Sequence, residues 1–196
     1  IFDEVQSGFG RTGQLWGYEY VGVQPDIVTL GKPMGNGHPI AAVVASSELV
    51  NAFRSDVMYF NTFGGNPVSC AVAQAVLDVI EDEQLVSNAR DVGHYLRSGL
   101  QDLQQVHEVM GDVRGPGLFL GVELVSDRQA KQPATQLAAQ VINTMKSKRV
   151  LISKIGPFDN VLKIRPPIVF SKNNADQLLD TLDEVLTELV KQGGIS

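Results

Sequence analysis

Two ionisable side chains follow short apolar runs, and these are the residues best placed for covalent chemistry. Lys32 comes one glycine after Ile27–Leu30, and Asp3 comes directly after Ile1 and Phe2. Ligands of open α/β sheets bind at the carboxyl ends of the strands. A lysine that loses solvent there has its charged form disfavoured, so its amine can act as a nucleophile. On position alone, Lys32 also fits a surface lysine, and Asp3 fits a cap on the following turn.

An acid and a lysine at two adjacent strand ends predict a pyridoxal phosphate site. The lysine of such a site forms a Schiff base with the cofactor, and the acid pairs with the protonated pyridine nitrogen. A metal site is not predicted, because the single cysteine, Cys70, and the three histidines lack zinc-ligand spacing.

Two phosphate-binding patterns are incomplete in this sequence. Gly8–Gly13 matches the dinucleotide fingerprint, but no helix pattern opens at its end. Gly31 and Lys32 suggest a P-loop, but Asp26 replaces its first glycine and Pro33 replaces its serine or threonine. The sequence therefore favours neither a dinucleotide nor a P-loop nucleotide as ligand.

The composition is that of a folded acidic protein. The 196 residues include 43% hydrophobic and 19% charged residues, with a net charge of -6. This acidity disfavours nucleic acid and anionic membranes as main partners, and no apolar run reaches the length of a membrane span. With one cysteine and no signal peptide, we expect a reducing, cytoplasmic location. The chain starts without Met inside an apolar strand pattern, so we expect a fragment of a longer polypeptide.

The first part of the chain has the pattern of an α/β layer, which would position Asp3 and Lys32. Apolar runs bounded by turn residues predict strands over 27–30 and 41–45. Asn66 and Pro67 predict a helix start, with Asn as N-cap and Pro as first helical residue. A further helix is predicted over 84–104, although Gly93 and Gly99 lie inside it.

The composition shifts near Gly111, and the following elements are typical of a smaller α+β unit. We therefore predict two domains, residues 1–105 and residues 106–196. The turn-rich segment 111–117 precedes a predicted strand over 118–124. Further strands are predicted over 150–152 and 161–165, and helices over 134–148 and 174–191.

Several ordered motifs give the chain a family resemblance. Residues 3–13 (DEVQSGFGRTG), 25–32 (PDIVTLGK) and 35–40 (GNGHPI) resemble the class III aminotransferases of the pyridoxal phosphate type I fold. Residues 61–67 (NTFGGNP) and 111–117 (GDVRGPG) continue the match. The resemblance covers essentially the whole chain. It implies that residues 1–105 are the C-terminal half of the large cofactor-binding domain and that residues 106–196 are the small C-terminal domain.

The resemblance implies a role for each matching site residue. Asp3 would pair with the pyridine nitrogen, and Gln6 would contact the ring hydroxyl. Lys32 would carry the cofactor and then move the substrate proton. Thr62 would bind the cofactor phosphate of the neighbouring subunit, which implies a homodimer with shared active sites. Without the family, Gln6 fits a strand-end amide and Thr62 fits a plain turn residue.

One position departs from the family pattern. The family places a carboxylate-binding arginine three residues before a Pro-Pro pair, and Lys163 stands there in this chain. Arg165, two residues later, can replace it as a substrate-binding residue, or the two can form an exposed basic face. The pair and residues 59–72 look most like the branch with alanine–glyoxylate aminotransferase 2-like proteins and ethanolamine-phosphate phospholyases, which eliminate phosphate from phosphorylated amines.

The favoured function is therefore amino transfer from a primary amine or amino acid to a keto acid, with pyridoxal phosphate as cofactor. A phospholyase is the first alternative, because loss of a β-leaving group would use the same residues. An inert fragment is the second alternative, because the family's phosphate-binding loop and ring-stacking aromatic are absent from this sequence.

Overall fold

A computed structural model describes residues 1–193, which form two compact units that meet in sequence between Ser87 and Asn88. The division lies before the predicted boundary at residue 105. The reason is the helix Leu85–Val106, because its buried side chains Leu96 and Leu100 belong to the core of the second unit. The assignment of the two segments to domains of a longer protein stays a prediction.

A three-stranded sheet organises the first unit. Its strands are β1 (Phe2–Asp3), β2 (Ile27–Leu30) and β3 (Ala42–Ala45), in that order. β1 and β2 are parallel, whereas β2 and β3 are antiparallel. The helices are α1 (Gly17–Val21), α2 (Ser47–Asp56), α3 (Pro67–Asp82) and the start of α4 (Leu85–Val106). The predicted strands are confirmed, and α2 was not predicted.

The predicted start of α3 is also confirmed. Asn66 Oδ1 accepts a hydrogen bond from the Ser69 backbone N–H at 2.9 Å, and Pro67 is the first helical residue. The side chain thus satisfies one of the amide donors that the first helical turn leaves without a partner.

The second unit is an antiparallel sheet with helices. Its strands are β4 (Met110–Arg114), β5 (Leu120–Asp127), β6 (Gln132–Pro133), β7 (Ser153–Ile155) and β8 (Val161–Ile164). The order is β4-β5-β8-β7, with β6 paired to β5. The helices are the main part of α4, α5 (Thr135–Ser147) and α6 (Lys172–Gly193). Alternate residues of β5 and one stripe of each helix form its core, which includes Leu96, Met110, Val122, Leu124, Val141, Met145, Leu162, Leu182 and Leu186.

Two strand predictions in this unit differ from the structure. The strand predicted over 150–152 is wrong, since β7 begins at Ser153. Val150 and Ile152 do pack against the core, while Leu151 is 83% exposed. The segment predicted as a turn contains β4 up to Arg114, and the turn itself is at Gly115 and Gly117, which both have positive φ.

The interior glycines of α4 have a packing reason. A Cβ at Gly93 would lie 2.3 Å from the backbone carbonyl of Gly117. A Cβ at Gly99 would lie 2.4 Å from Leu179 Cδ1. The turn at Gly117 comes close to Gly93, and α6 comes close to Gly99, so glycine fits best at both positions. This close packing offsets the low helix propensity of glycine.

Candidate active site

The parallel pairing of β1 and β2 determines where the two candidate catalytic side chains lie. Phe2 pairs with Val28, and Asp3 pairs with Thr29. Asp3 is the last residue of β1, and Lys32 is the second residue after the end of β2. Because the carboxyl ends of parallel strands share one edge of a sheet, the carboxylate and the amine lie at the same edge.

Asp3 presents a partly held carboxylate at this edge. Its Oδ1 accepts a hydrogen bond from the Val5 backbone N–H at 3.0 Å and one from Thr29 Oγ1 at 3.4 Å. The residue is exposed in this chain. Both contacts use the same oxygen, so the second oxygen can face a cationic group.

Lys32 lies at a sharp turn of the backbone. It is the first residue of a short 3₁₀ helix, Lys32–Gly35, and its φ is 25°. The turn is closed by a hydrogen bond from the Met34 N–H to the Gly31 carbonyl at 2.8 Å. A positive φ at a residue with a Cβ costs on the order of 1–3 kcal/mol, and such strain concentrates at functional sites. The side chain itself is exposed.

Residues 4–16 form a closed loop between β1 and α1, and Gln6 lies in its first turn. The Gly10 N–H donates to the Leu15 carbonyl, and the Gly13 N–H donates to the Gly10 carbonyl. No helix begins at Gly13, which agrees with the rejection of a dinucleotide site. Gln6 is partly buried in the turn that immediately follows Asp3.

Sequence reasoning missed Glu4 in this loop. Its side chain is fully buried, and it accepts hydrogen bonds from Ser7 Oγ and from the backbone N–H groups of Gly17 and Tyr18. Its signal was an acid directly beside Asp3 at a strand end, because neighbouring residues of a strand point to opposite faces. One of the two acids had to point away from the edge that holds Lys32.

Thr62 lies on a separate exposed loop of the same unit. Asn61 Oδ1 accepts from the backbone N–H groups of Phe63 at 3.2 Å and Gly64 at 3.0 Å, which holds Thr62 inside a compact turn. At the other end of this loop, α3 begins and carries the exposed Cys70.

A side-chain hydrogen bond links the Lys32 turn with the start of α3. His38 Nε2 lies 2.8 Å from Ser69 Oγ, and Asn66 Nδ2 also donates to that oxygen at 2.9 Å. His38 follows Lys32 in the next turn of the chain, and Asn66 caps α3. This pair was not singled out from the sequence, because nothing in the spacing of the two residues indicates the contact.

Lys163 and Arg165 lie in the second unit. Lys163 is in β8, where it pairs with Gly121 of β5 and Ser153 of β7. Arg165 comes directly after β8, and its guanidinium carbon lies 4.1 Å from the centre of the Phe119 ring. Burial lowers the pKa of the Arg165 guanidinium from its ordinary value. Two cations thus stand at one strand end, the second stacked on an aromatic ring.

The described part of the chain has neither a cluster of metal ligands nor a membrane-spanning helix. Residues 1–193 contain no group of three His, Cys, Asp or Glu side chains arranged to hold a metal ion. Among the same residues, none of the helices is long and apolar enough to cross a membrane.

Comparisons with known proteins give a consistent picture. The family model described as aminotransferase class-III matches residues 1–186. An "alanine--glyoxylate aminotransferase 2-like" protein of Drosophila melanogaster is 51% identical over 195 residues, which is 98% of this chain and 40% of that protein. "Ethanolamine-phosphate phospho-lyase homolog 1" of Caenorhabditis elegans is 47% identical over 191 residues, which is 95% of this chain and 41% of that protein.

Solved structures match the chain equally well. An Arthrobacter phospholyase in complex with phosphoethanolamine is 49% identical, with a TM-score of 0.92 over 95% of this chain and 44% of that one. A Bacillus anthracis aminotransferase is 35% identical, with a TM-score of 0.87 over 95% of this chain and 44% of that one. The chain spans about two fifths of the length of the curated relatives it matches.

Proposed function

The chain belongs to the class III aminotransferase family, and on that premise we propose that it is part of a pyridoxal phosphate-dependent aminotransferase. The family resemblance drawn from the motifs and the α/β fold class are confirmed. Enzymes of this family use pyridoxal phosphate. The observation that carries the proposal for this chain is the parallel pairing of Asp3 with Thr29, because it brings a carboxylate and the amine of Lys32 to one sheet edge.

The residues at this edge fit the cofactor by their chemistry. The carboxylate of Asp3 suits a protonated pyridine nitrogen, and the amide of Gln6 can hydrogen-bond a phenolate oxygen without adding charge. The hydroxyl of Thr62 suits a phosphate oxygen. When bound, pyridoxal phosphate supplies an electron sink for the negative charge that develops at the substrate carbon.

The chain's own groups then divide the work. Asp3 would hold a proton on the ring nitrogen by charge pairing, which would keep the ring electron-poor. Lys32 Nζ would hold the cofactor covalently and, when free, would accept the proton from the substrate carbon. For amino transfer, the same amine would also be the group that returns this proton.

The test uses the full-length protein that contains this chain. We expect Lys32→Ala to lose the absorption band of the covalently bound cofactor and to lower amino transfer by about a thousandfold or more, since one group supplies both attachment and proton transfer. Lys146→Ala is the matched control, because Lys146 is an exposed lysine on α5. A Lys32→Ala protein with the wild-type band would overturn the proposal.

A phospholyase is a second candidate, and Lys163 with Arg165 is the observation that favours it. A phosphate ester carries more negative charge than a carboxylate, and two cations at one strand end suit it better. The experiment supplies phosphoethanolamine without a keto acid and follows inorganic phosphate. Steady release means elimination. Amino transfer to glyoxylate or pyruvate without phosphate release means a transaminase, with Arg165 as the candidate ligand of the substrate carboxylate.

We further propose a homodimer with shared active sites, small-molecule amine and keto acid substrates, and a cytoplasmic location. The exposed hydrophobic residues of the first unit, such as Phe60 and Phe63 beside Thr62, support a subunit contact. The single cysteine supports a reducing compartment.

Sedimentation of the full-length protein tests the dimer. Mixing Thr62→Val subunits with Lys32→Ala subunits tests sharing. If the sites are shared, one of the two sites in the mixed dimer carries neither change, and activity is regained. If they are not shared, each site carries one of the two changes.

A further inference from the structure

Glu4 is a buried acid that the proposed reaction does not use. Its side chain has no exposure to solvent. Oε1 accepts a hydrogen bond from the Tyr18 N–H at 2.8 Å, and Oε2 accepts from the Gly17 N–H at 2.9 Å and from Ser7 Oγ at 2.7 Å. Burial of a carboxylate is costly unless donors replace water, and here three donors do so.

The position of Glu4 in the chain gives these contacts a consequence. Glu4 lies between Asp3 and Gln6, the two residues proposed to face the cofactor ring. Its backbone N–H donates to the Thr29 carbonyl at 2.9 Å, and its own carbonyl accepts from the Gly8 N–H at 3.1 Å. Backbone and side chain together therefore fix the turn that carries Gln6 and orients Asp3.

The surroundings of the Glu4 carboxylate are closely packed. A Cβ at Gly17 would lie 2.7 Å from Ser7 Cβ and 3.0 Å from Glu4 Oε2. Next to Gly17 in the chain, the ring of Trp16 meets the ring of Phe9 edge to face, with ring centres 5.2 Å apart. Gly17 has no room for a side chain because the turn after β1 and the first turn of α1 are in close contact there. A substitution that weakens the hydrogen bonds of Glu4 would therefore move the turn or α1.

We propose that Glu4 is a positioning residue for the cofactor ring: its carboxylate ties the turn after β1 to the first turn of α1 and so sets the direction of Asp3 and Gln6. The inference rests on the proposed function. It adds a residue that touches neither cofactor nor substrate, and that acts only through Asp3 and Gln6.

The test is Glu4→Gln in the full-length protein. Glutamine keeps the shape of the side chain but replaces one acceptor oxygen with an NH₂ group that faces an N–H donor. We expect apo-protein to bind pyridoxal phosphate about tenfold more weakly, which corresponds to about 1.4 kcal/mol. We also expect the absorption maximum of the bound cofactor, and the pH at which its band changes, to shift, because Asp3 controls the charge on the ring nitrogen.

Two further variants separate positioning from stability. Glu19→Gln is the matched control, since Glu19 is exposed and its Oε2 accepts from the backbone N–H of Trp16, the N-cap of α1, at 2.8 Å. It should bind the cofactor with wild-type affinity and spectrum. Ser7→Ala removes one of the three donors and should shift the spectrum in the same direction as Glu4→Gln by a smaller amount, which gives a result even if Glu4→Gln does not fold.

The outcomes differ for the two levels of proposal. A Glu4→Gln protein with a lower melting temperature but unchanged cofactor affinity, absorption maximum and pH titration would mean that Glu4 is only structural, and the same holds for an unchanged Ser7→Ala spectrum. Equal shifts in Glu19→Gln would also overturn the positioning role. If the wild-type protein itself does not bind pyridoxal phosphate, the proposed function fails and the role of Glu4 fails with it.

Discussion

The two units differ in where their hydrophobic side chains lie. Among the described residues, the buried hydrophobic ones of the first unit are Phe9, Ala73, Ile80 and Leu85, whereas the second unit contains a continuous core between its sheet and helices. The first unit exposes Val43, Phe60, Phe63 and many others instead. The candidate catalytic residues Asp3 and Lys32 are in the first unit. Within these 196 residues, the candidate catalytic side chains thus lie in the unit that buries few hydrophobic side chains, whereas the second unit has a hydrophobic core of its own.

Removal of core volume should show this contrast most strongly. Leu162→Ala, in the centre of β8 with no solvent exposure, should lower the free energy of unfolding by about 2–5 kcal/mol. Val43→Ala, on β3 with 69% exposure, should change it by less than about 0.5 kcal/mol. Urea denaturation followed by circular dichroism measures both. Comparable losses in the two variants would contradict the comparison.

The glycines of α4 sharpen the comparison inside the second unit. Gly93→Ala should destabilise by about 1–3 kcal/mol, because the new Cβ meets the backbone of Gly117, which cannot rotate away. Gly99→Ala should cost less, since its neighbour is the flexible end of the Leu179 side chain. The melting temperatures of the two variants show which change destabilises more. A larger decrease for Gly99→Ala would mean that the turn at Gly117 moves away from a new Cβ more easily than the Leu179 side chain does.

In the first unit, the strain at Lys32 predicts a reversal of the usual glycine penalty. Lys32→Gly should be more stable than Lys32→Ala by about 1 kcal/mol, because glycine adopts a positive φ without cost from a Cβ. At Lys146, in the last turn of α5, glycine should instead be less stable than alanine by up to about 1 kcal/mol. Chemical denaturation of the four apo-proteins tests this, and the same order at both positions would remove the evidence for strain.

The smallest expected effect concerns Arg165. Phe119→Leu keeps an apolar side chain but removes the ring below the guanidinium, a contact of about 0.5–1 kcal/mol. In the full-length protein, we expect KM for an anionic substrate to rise about two- to fivefold with little change in kcat. Phe158→Leu, at an exposed phenylalanine of the same unit, is the control. A change confined to kcat would argue against a role of Arg165 in substrate binding.

Local sequence patterns correctly predicted those helices and strands that the neighbouring residues and the folded environment both favour. The strand Ile27–Leu30 and the cap at Asn66 are of this kind, since each is specified within a few residues. The strand over 150–152 was wrong because apolar residues indicate burial and not hydrogen-bonded pairing. Val150 and Ile152 are packed on the core outside any strand.

The candidate site was predictable to a similar extent. Strand ends and residue type indicated Asp3 and Lys32 as candidates, and their shared edge follows from parallel pairing, while their roles stay predictions. The acid beside Asp3 was a signal for Glu4, but its role could not be inferred, because its hydrogen bonds from Gly17 and Tyr18 form only in the folded loop. Long-range hydrogen bonds of this kind have no periodic signature in the sequence.

The exposed thiol of Cys70 has a practical consequence. It lies in the first turn of α3, next to Ser69, whose hydroxyl is within hydrogen-bond distance of His38. Because it is the only cysteine of these 196 residues, a maleimide dye would attach at one known position within them. Changes in its emission on addition of pyridoxal phosphate would report directly on the loop that carries Thr62, independently of any measurement of turnover.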